Sequence, residues 1–504
     1  MTINRENALM NFNQLSVALV AASLAATACK TDLTGLNTNP NSPTTAPAAS
    51  LFSNATAATL GRWNGSGNTL SMTSLFAQHV AQVQYVDEDR GHIRPTTVDG
   101  FYSGAYTAEM EDYQKVQEQG KAANNANLWG PAVVMQSWVF QNVTDILGDI
   151  PYSEALKGDA GGSLRPKYDS QKDIYYGLLK TLTDAAVGMK ASTGDGFGSA
   201  DLIYKGDASK WVKFANSLRA RLALRMSNAD AAKAAAELSS AFAGGVMTSN
   251  ADNAMMAWPG DGVFDNPWAA SFATRDDHRV SKTLLDTMNV LGDPRVKVYA
   301  QPTKADATKY TGLQNGMDNV TVTPFFNTTS RPGAIFYPGI TTYGTFGTSA
   351  GKKTPSYILT YAEVEFMAAE AAERGLGGQT GAAAHYNAGV TASIKQWGGS
   401  DAAAAAYLAQ PGVAYVAGAE GLKRIGLQKW ISLFTQGTEA WSEWRRTGNP
   451  ATIKMGPSAY PDVLQVPRRL LYPSNEQSVN ATSLAEAIAR QGPDLTSTRV
   501  WWNK

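Results

Sequence analysis

Helical spacing, opened again and again by capping residues, is the feature that most limits what this 504-residue chain can fold into. Ser170 with Asp173 reads as a capping box, and Ile174, Leu178 and Leu182 follow on one helical face. Asp207 is placed to cap a helix bearing Trp211, Phe214, Leu218 and Leu222. Thr360 with Glu363 forms another box ahead of Val364, Met367, Ala368 and Ala371, and Gly375 stops that helix. Pro131 is placed to open a helix carrying Met135, Trp138 and Val139, while Met72, Phe76, His79 and Val83 share one face. Residues 382–396 and 422–446 continue as a helical pair, and a last helix is expected near 484–490. Such stripes are buried only against one another. The spacing therefore predicts a mostly α fold, a tetratricopeptide-like scaffold of stacked helical hairpins, although no strict 34-residue period is legible.

Between about 247 and 355 the pattern changes. Gly, Pro, Asn and aromatic residues crowd together and the periodicity fades. A loop-rich lobe is expected there, with short β strands around 320–325 and 334–337. Residues after 450 are also irregular.

The N-terminus points to a compartment. Arg5 precedes an apolar run at 15–28, too short for a bilayer span of about 20 residues but right for the core of a secretory signal. The run ends in Ala26-Thr27-Ala28-Cys29, similar to a bacterial lipobox, in which the cysteine is acylated. Ala26 stands where Leu is usual. Cys29 is the only cysteine, so no internal disulfide can form. The expected organisation is a lipoprotein signal peptide at 1–28, a lipidated polar tether at 29–50 and a single binding domain at 51–504. Acyl chains on Cys29 would suffice to hold it on a membrane.

Lys+Arg and Asp+Glu both total 43, so the basic surplus that nucleic-acid binding requires is missing. Catalytic and metal signatures are weak. Gly347-Thr348-Ser349-Ala350-Gly351 matches the G-x-S-x-G elbow, but its flanks read as neither the strand nor the helix that an elbow needs. The four histidines, His79, His92, His278 and His385, fit no zinc spacing, and no metal site is expected from them. Asp87, Glu88 and Asp89 form the one group of acids to which a calcium ion is considered. Asp145 and Asp149, around Gly148, are expected to tie down backbone N–H groups in a turn. Arg445 and Arg446 are expected to pair with Glu439 and Glu443 along a helix.

The run Thr144-Asp145-Ile146-Leu147-Gly148-Asp149-Ile150-Pro151-Tyr152 resembles a hallmark of the SusD/RagB family. So do Pro166-Lys167-Tyr168-Asp169, the stretch 201–207 leading to Trp211 and Arg221, Asp293-Pro294-Arg295, Glu443-Trp444-Arg445-Arg446 and Pro467-Arg468-Arg469-Leu470-Leu471-Tyr472-Pro473. Their order covers essentially the whole mature chain. The resemblance implies a lipid-anchored protein on the outer face of the outer membrane, without catalytic activity. It also implies that oligosaccharide or peptide is captured and handed to a SusC-like, TonB-dependent β-barrel transporter. A secreted glycoside hydrolase on helical hairpins and a structural surface adaptor are the competing classes. Sugar binding to a shallow site works by stacking on rings that packing leaves free, so loop aromatics are the candidate contacts. These are Trp63, Tyr85 and Tyr102, then Trp258, Phe264, Trp268, Phe272, Tyr337, Tyr343 and Phe346.

Overall fold

A computed structural model of the protein describes residues 46–337 and 348–504. Cys29, Tyr343 and Phe346 lie outside the described residues. The elements below all belong to the compact unit Ala48–Lys504.

The chain lays down its longer helices in order: α1 (Ala48–Trp63), α2 (Glu111–Ala122), α3 (Ala126–Leu147), α4 (Gln171–Ala191), α5 (Ala208–Arg225) and α6 (Ala231–Gly244). After the lobe come α7 (Tyr361–Glu373), α8 (Ala382–Gln396), α9 (Ala419–Ser432) and α10 (Gly437–Thr447). Each of α2 to α6 packs on the next, and α7 packs on α8, α9 and α5, which is the predicted stack of helical hairpins. The caps act as their sequences announce. Ser170 accepts Asp173 N–H, Asp207 accepts the N–H groups of Ser209 and Lys210, and Thr360 accepts that of Glu363.

Two expected helix assignments are corrected. Pro131 does not open α3 but lies inside it, because Asn125, six residues before Pro131, supplies the cap, accepting Asn127 N–H at 2.9 Å. Met72, Phe76, His79 and Val83 do not share one helix. A π-turn at Thr69–Thr73 and a helical turn at Ser74–Phe76 lead directly into strand β1 (Val80–Gln82). His79 is instead buried just before β1, its Nε2 3.0 Å from the Trp430 carbonyl of α9.

The family motifs prove to be structural. Asp201 accepts from the backbone of Ile203, Tyr204 and Gly206 and from Trp211 Nε1, which turns the chain into α5. Asp293 grips Arg295, whose guanidinium reaches Ser393 and Gln428. Asp149 does tie a backbone group, Gln171 N–H at 2.9 Å. Asp145 does not. It is buried and takes Arg225, Trp502 Nε1 and the Tyr175 hydroxyl. Arg446 pairs with Glu443 as expected, but also with Glu370. Arg445 pairs with neither glutamate. It donates to the Asp145 and Arg468 carbonyls and lies 3.7 Å over the Trp441 ring.

The remaining strands are β2 (Ile150–Pro151), β3 (Tyr168–Asp169), β4 (Ala254–Met256), β5 (His278–Val280) and β6 (Ser356–Leu359). They form two-stranded antiparallel pairs β1–β5, β2–β3 and β4–β6, with Val80 opposite Val280 and Gln82 opposite His278 in the first. The strands expected at 320–325 and 334–337 are absent: helical turns occupy Asn319–Val322, Thr323–Phe325 and Ala334–Phe336. Asp318 decides the first of these, capping the N–H groups of Val320 and Thr321 before any pairing partner can claim them. Residues Thr348–Lys353 form a 3-10 helix, so the G-x-S-x-G stretch is not a strand-to-helix elbow.

Candidate functional site

The β1–β5 pair aims two segments of chain at the surface. Beyond β1, Val83 N–H donates to the Asp277 carbonyl at 2.7 Å, which continues the ladder by one residue. The next turn places Tyr85 at φ +53°, in the left-handed region that a bulky side chain rarely occupies. Tyr85 is 61% exposed. On the facing segment Arg275 stretches over the ring, its guanidinium carbon 4.8 Å from the centroid, while its Nε holds Asp277 Oδ2 at 2.5 Å. A strained, exposed ring with a cation against it is the kind of arrangement that packing alone does not require.

Behind this pair the side chains are layered. Asp276 takes Arg279 Nη1 at 2.8 Å and Arg331 Nε at 2.7 Å. Arg331 sits 5.5 Å over Tyr337, and Tyr337 stacks on Phe272 at 4.5 Å and 6°. Asp276 and Asp277 are thus each engaged by arginine. They are not the pair of free carboxyl groups that flank a scissile bond in a glycosidase.

The same loop borders a surface groove of ≈820 Å³ through His92, Ile93 and Arg94. His92 stacks on Tyr460 at 3.6 Å and 7°, and Arg90 covers that tyrosine at 4.0 Å. Asp87 accepts the Tyr460 hydroxyl at 2.6 Å, and Asp462 bonds His92 Nε2 at 3.0 Å. Ile93, Val98, Val463 and Leu495 give the groove an apolar wall. Volume and lining suit a ligand of several linked rings.

The loop acids diverge. Glu88 pairs with Arg94 and Gln82, and Asp89 accepts Asn315 Nδ2 at 2.7 Å and Gly316 N–H at 3.0 Å. Burial pushes the Asp89 carboxyl up to about 6. Among the described residues, no three His, Cys, Asp or Glu side chains gather to hold a metal ion.

Of the ring residues expected at the ligand, Tyr85 and Phe264 are exposed, the latter at 51%. Trp63, Tyr102, Trp258, Trp268, Phe272 and Tyr337 are buried in the core, so packing has taken them. Trp63 donates to Glu109, Trp258 to Ser356 and Trp268 to Thr69. Trp63, Tyr102 and Trp268 are not loop residues as expected but stand on helices, Ala48–Trp63, Pro95–Gly104 and Pro267–Phe272, and each indole N–H finds an acceptor that lets its ring fill the core. Arg275, His92 and Tyr460 are not among the residues expected at the ligand. His92 and Tyr460 stand 368 positions apart, and no local pattern links them.

Residues 40–473 match a family model described as SusD-like, starch-binding and associating with outer membrane. No curated protein sequence matches it. A solved structure described as a chitin-binding protein is 30% identical, with a TM-score of 0.80 over 91% of this chain and 100% of the other. A chitin-binding SusD homolog from Flavobacterium johnsoniae is 26% identical, with a TM-score of 0.77 over 90% of this chain and 98% of that one. A SusD homolog from Bacteroides uniformis is 24% identical, with a TM-score of 0.79 over 90% and 99%. Among the described residues no helix is long and apolar enough to cross a membrane.

Proposed function

The chain belongs to the SusD-like family, and from that premise we propose that it captures an oligosaccharide on the surface formed by residues 83–94 and their neighbours, without turning it over. The observation that carries this reading is Tyr85, exposed, held in a left-handed backbone and backed by Arg275. A sugar ring lays its C–H face on the open side of the tyrosine, and the guanidinium donates to hydroxyls at the rim. His92 and Tyr460 extend the contact for a longer chain along the groove. Two structural relatives are described as chitin-binding, which makes β-1,4-linked N-acetylglucosamine oligomers the first ligands to try.

In the full reading Cys29 is acylated, the tether expected at 29–50 runs only as far as the start of α1 at Ala48, and the protein presents its cargo to a SusC-like β-barrel transporter. The family description supports the outer-membrane setting. Replacing Cys29 with Ser is expected to release a folded protein from the membrane fraction. Retention there would remove the lipid anchor from this reading.

The test of the site is calorimetric titration with chitotetraose. Tyr85→Ala should weaken binding at least tenfold, with the melting temperature kept, and no shortened oligomer should accumulate. Unchanged affinity in Tyr85→Ala would remove this surface as the site, and steady release of shorter sugars would make the protein an enzyme.

A further inference from the structure

Tyr85 and His92, the two ends of the ligand surface, stand on one loop that leaves β1 at Gln82. A loop presents two rings at a set separation only where its own shape is fixed. Asp89 lies between them in the chain, and its side chain is buried. Asp89 N–H donates to Gln82 Oε1 at 3.1 Å, and Asp89 Oδ2 accepts Gln82 N–H at 3.1 Å. These two bonds close the loop onto the end of β1, with Tyr85 inside the closure. From there Arg90 N–H donates to the Val86 carbonyl at 3.1 Å and His92 N–H to the Asp87 carbonyl at 3.0 Å, which takes up the slack as far as His92.

The same carboxylate fastens the loop to a second segment. Oδ1 accepts Asn315 Nδ2 at 2.7 Å, and Oδ2 accepts Gly316 N–H at 3.0 Å. Asn315 is itself held, donating to the Val80 carbonyl at 2.8 Å. The Gly316 carbonyl accepts Ser458 N–H at 2.9 Å, two residues before Tyr460. Arg90, next to Asp89, donates from Nε to the Ser458 carbonyl at 2.7 Å and accepts Tyr460 N–H at 3.2 Å. The segment that carries Tyr460 is thus set on the loop at Asp89 and Arg90. It has no room to drift, because a Cβ on Gly456 would lie 1.9 Å from the Asn315 carbonyl oxygen.

Three N–H donors converge on the Asp89 carboxylate. A buried charge is costly, and apolar side chains could close a loop at lower cost. What a carboxylate adds is direction, since each bond to it is strong and fixed in angle.

We propose that Asp89 is a positioning residue that sets the separation between Tyr85 and the His92–Tyr460 stack, so that an oligosaccharide long enough to lie on both binds them as one site. The first sugar bound keeps the rest of the chain close to the second contact, and the gain depends on that contact standing where the chain arrives. Asp89 itself touches no sugar. The inference rests on the glycan-binding reading above and adds to it a dependence on ligand length.

The experiment titrates the full chain with chitobiose, which occupies one end, and with chitohexaose, which reaches both. The wild-type protein should bind the hexamer at least tenfold more tightly than the dimer. Asp89→Asn keeps the shape of the side chain but sets an NH2 group against an N–H donor. It should cut the hexamer-to-dimer ratio at least fivefold and shift chitobiose affinity less than twofold. Asn315→Ala withdraws one donor from Asp89 and leaves it Gln82 and Gly316, and it repeats the test should the first variant melt early. An unchanged ratio in the variants, or equal weakening of both sugars, overturns the positioning role and leaves the glycan reading standing. So does a wild type that binds the two sugars equally. Failure of the wild type to bind either sugar overturns both.

Discussion

The helical scaffold and the loop-rich lobe are stabilised by opposite means. In the scaffold most backbone groups are bonded within their own helix, so side chains are left to fix how helices sit against one another. They do so with buried charge: Arg221 to Glu363, Arg225 to Asp145, and Arg446 to Glu370 and Glu443. In the lobe the backbone has few ladders, and single polar side chains satisfy it one turn at a time. Asn266 accepts the N–H groups of Trp268 and Ala269, Asp261 those of Val263 and Phe264, Asp306 that of Thr308 and Asp318 those of Val320 and Thr321. The scaffold is thus specified by contacts between distant helices, and the lobe by local caps over aromatic stacks. A rigid layer under an independently pinned surface lets the ligand face vary without disturbing the layer beneath.

Acid should separate the two regions most strongly. The segment 70–79 joins them: His278 of the lobe bonds the Leu70 carbonyl, and His79 bonds that of Trp430 in α9. Burial pushes His79 down from 6.5 to about 3 and His278 to about 4. The unfolded chain takes up protons below 6.5 that the folded state refuses, so these residues cost stability as the pH falls from 6.5 toward 4. Glu109, raised by burial to about 7, acts in the opposite sense, its penalty growing as the pH rises from 4.5 to 7. The informative quantity is therefore the difference between wild type and His278→Gln in urea melts at pH 7 and pH 5. The variant should lose less stability than the wild type on acidification; parallel losses would mean that the histidines are not the latch.

Next in size is Arg221→Met. It takes the two-point partner from buried Glu363 and leaves it only Lys429 at 3.9 Å, which costs about 3–5 kcal/mol in global stability. Urea denaturation should show the whole fold weakened, not one part of it. Asn266→Ala should cost about 1–2 kcal/mol, the range for a lost helix cap. Its effect should appear in hydrogen exchange as faster exchange at residues 266–272, with the scaffold amides unchanged. Spread of that effect into α5 or α7 would break the distinction between the regions. Thr435→Gly is the smallest. Glycine adopts φ +75° freely, so the variant should gain up to about 1 kcal/mol, read as a higher melting temperature.

How much of this was legible depended on distance along the chain. Ser170, Asp207 and Thr360 announced their helices because a cap and the N–H it accepts lie two or three residues apart. Tyr85 and Phe264 sat in loops and remained exposed. Trp258 sits in a loop too and Trp268 on a short helix within the irregular stretch, yet their indoles found acceptors at Ser356 and Thr69, 98 and 199 residues away. Nothing near those tryptophans in sequence distinguishes them from the exposed rings.

The amino-acid order alone determined the helical class, the capped helix starts and the change of texture near residue 247, because each depends on neighbours within a turn or two. Which rings stay free and which arginine meets which glutamate were decided only by tertiary packing. Arg221 and Glu363 are 142 residues apart, and only the folded layer brings such groups into contact and withdraws the water that would otherwise have bonded them.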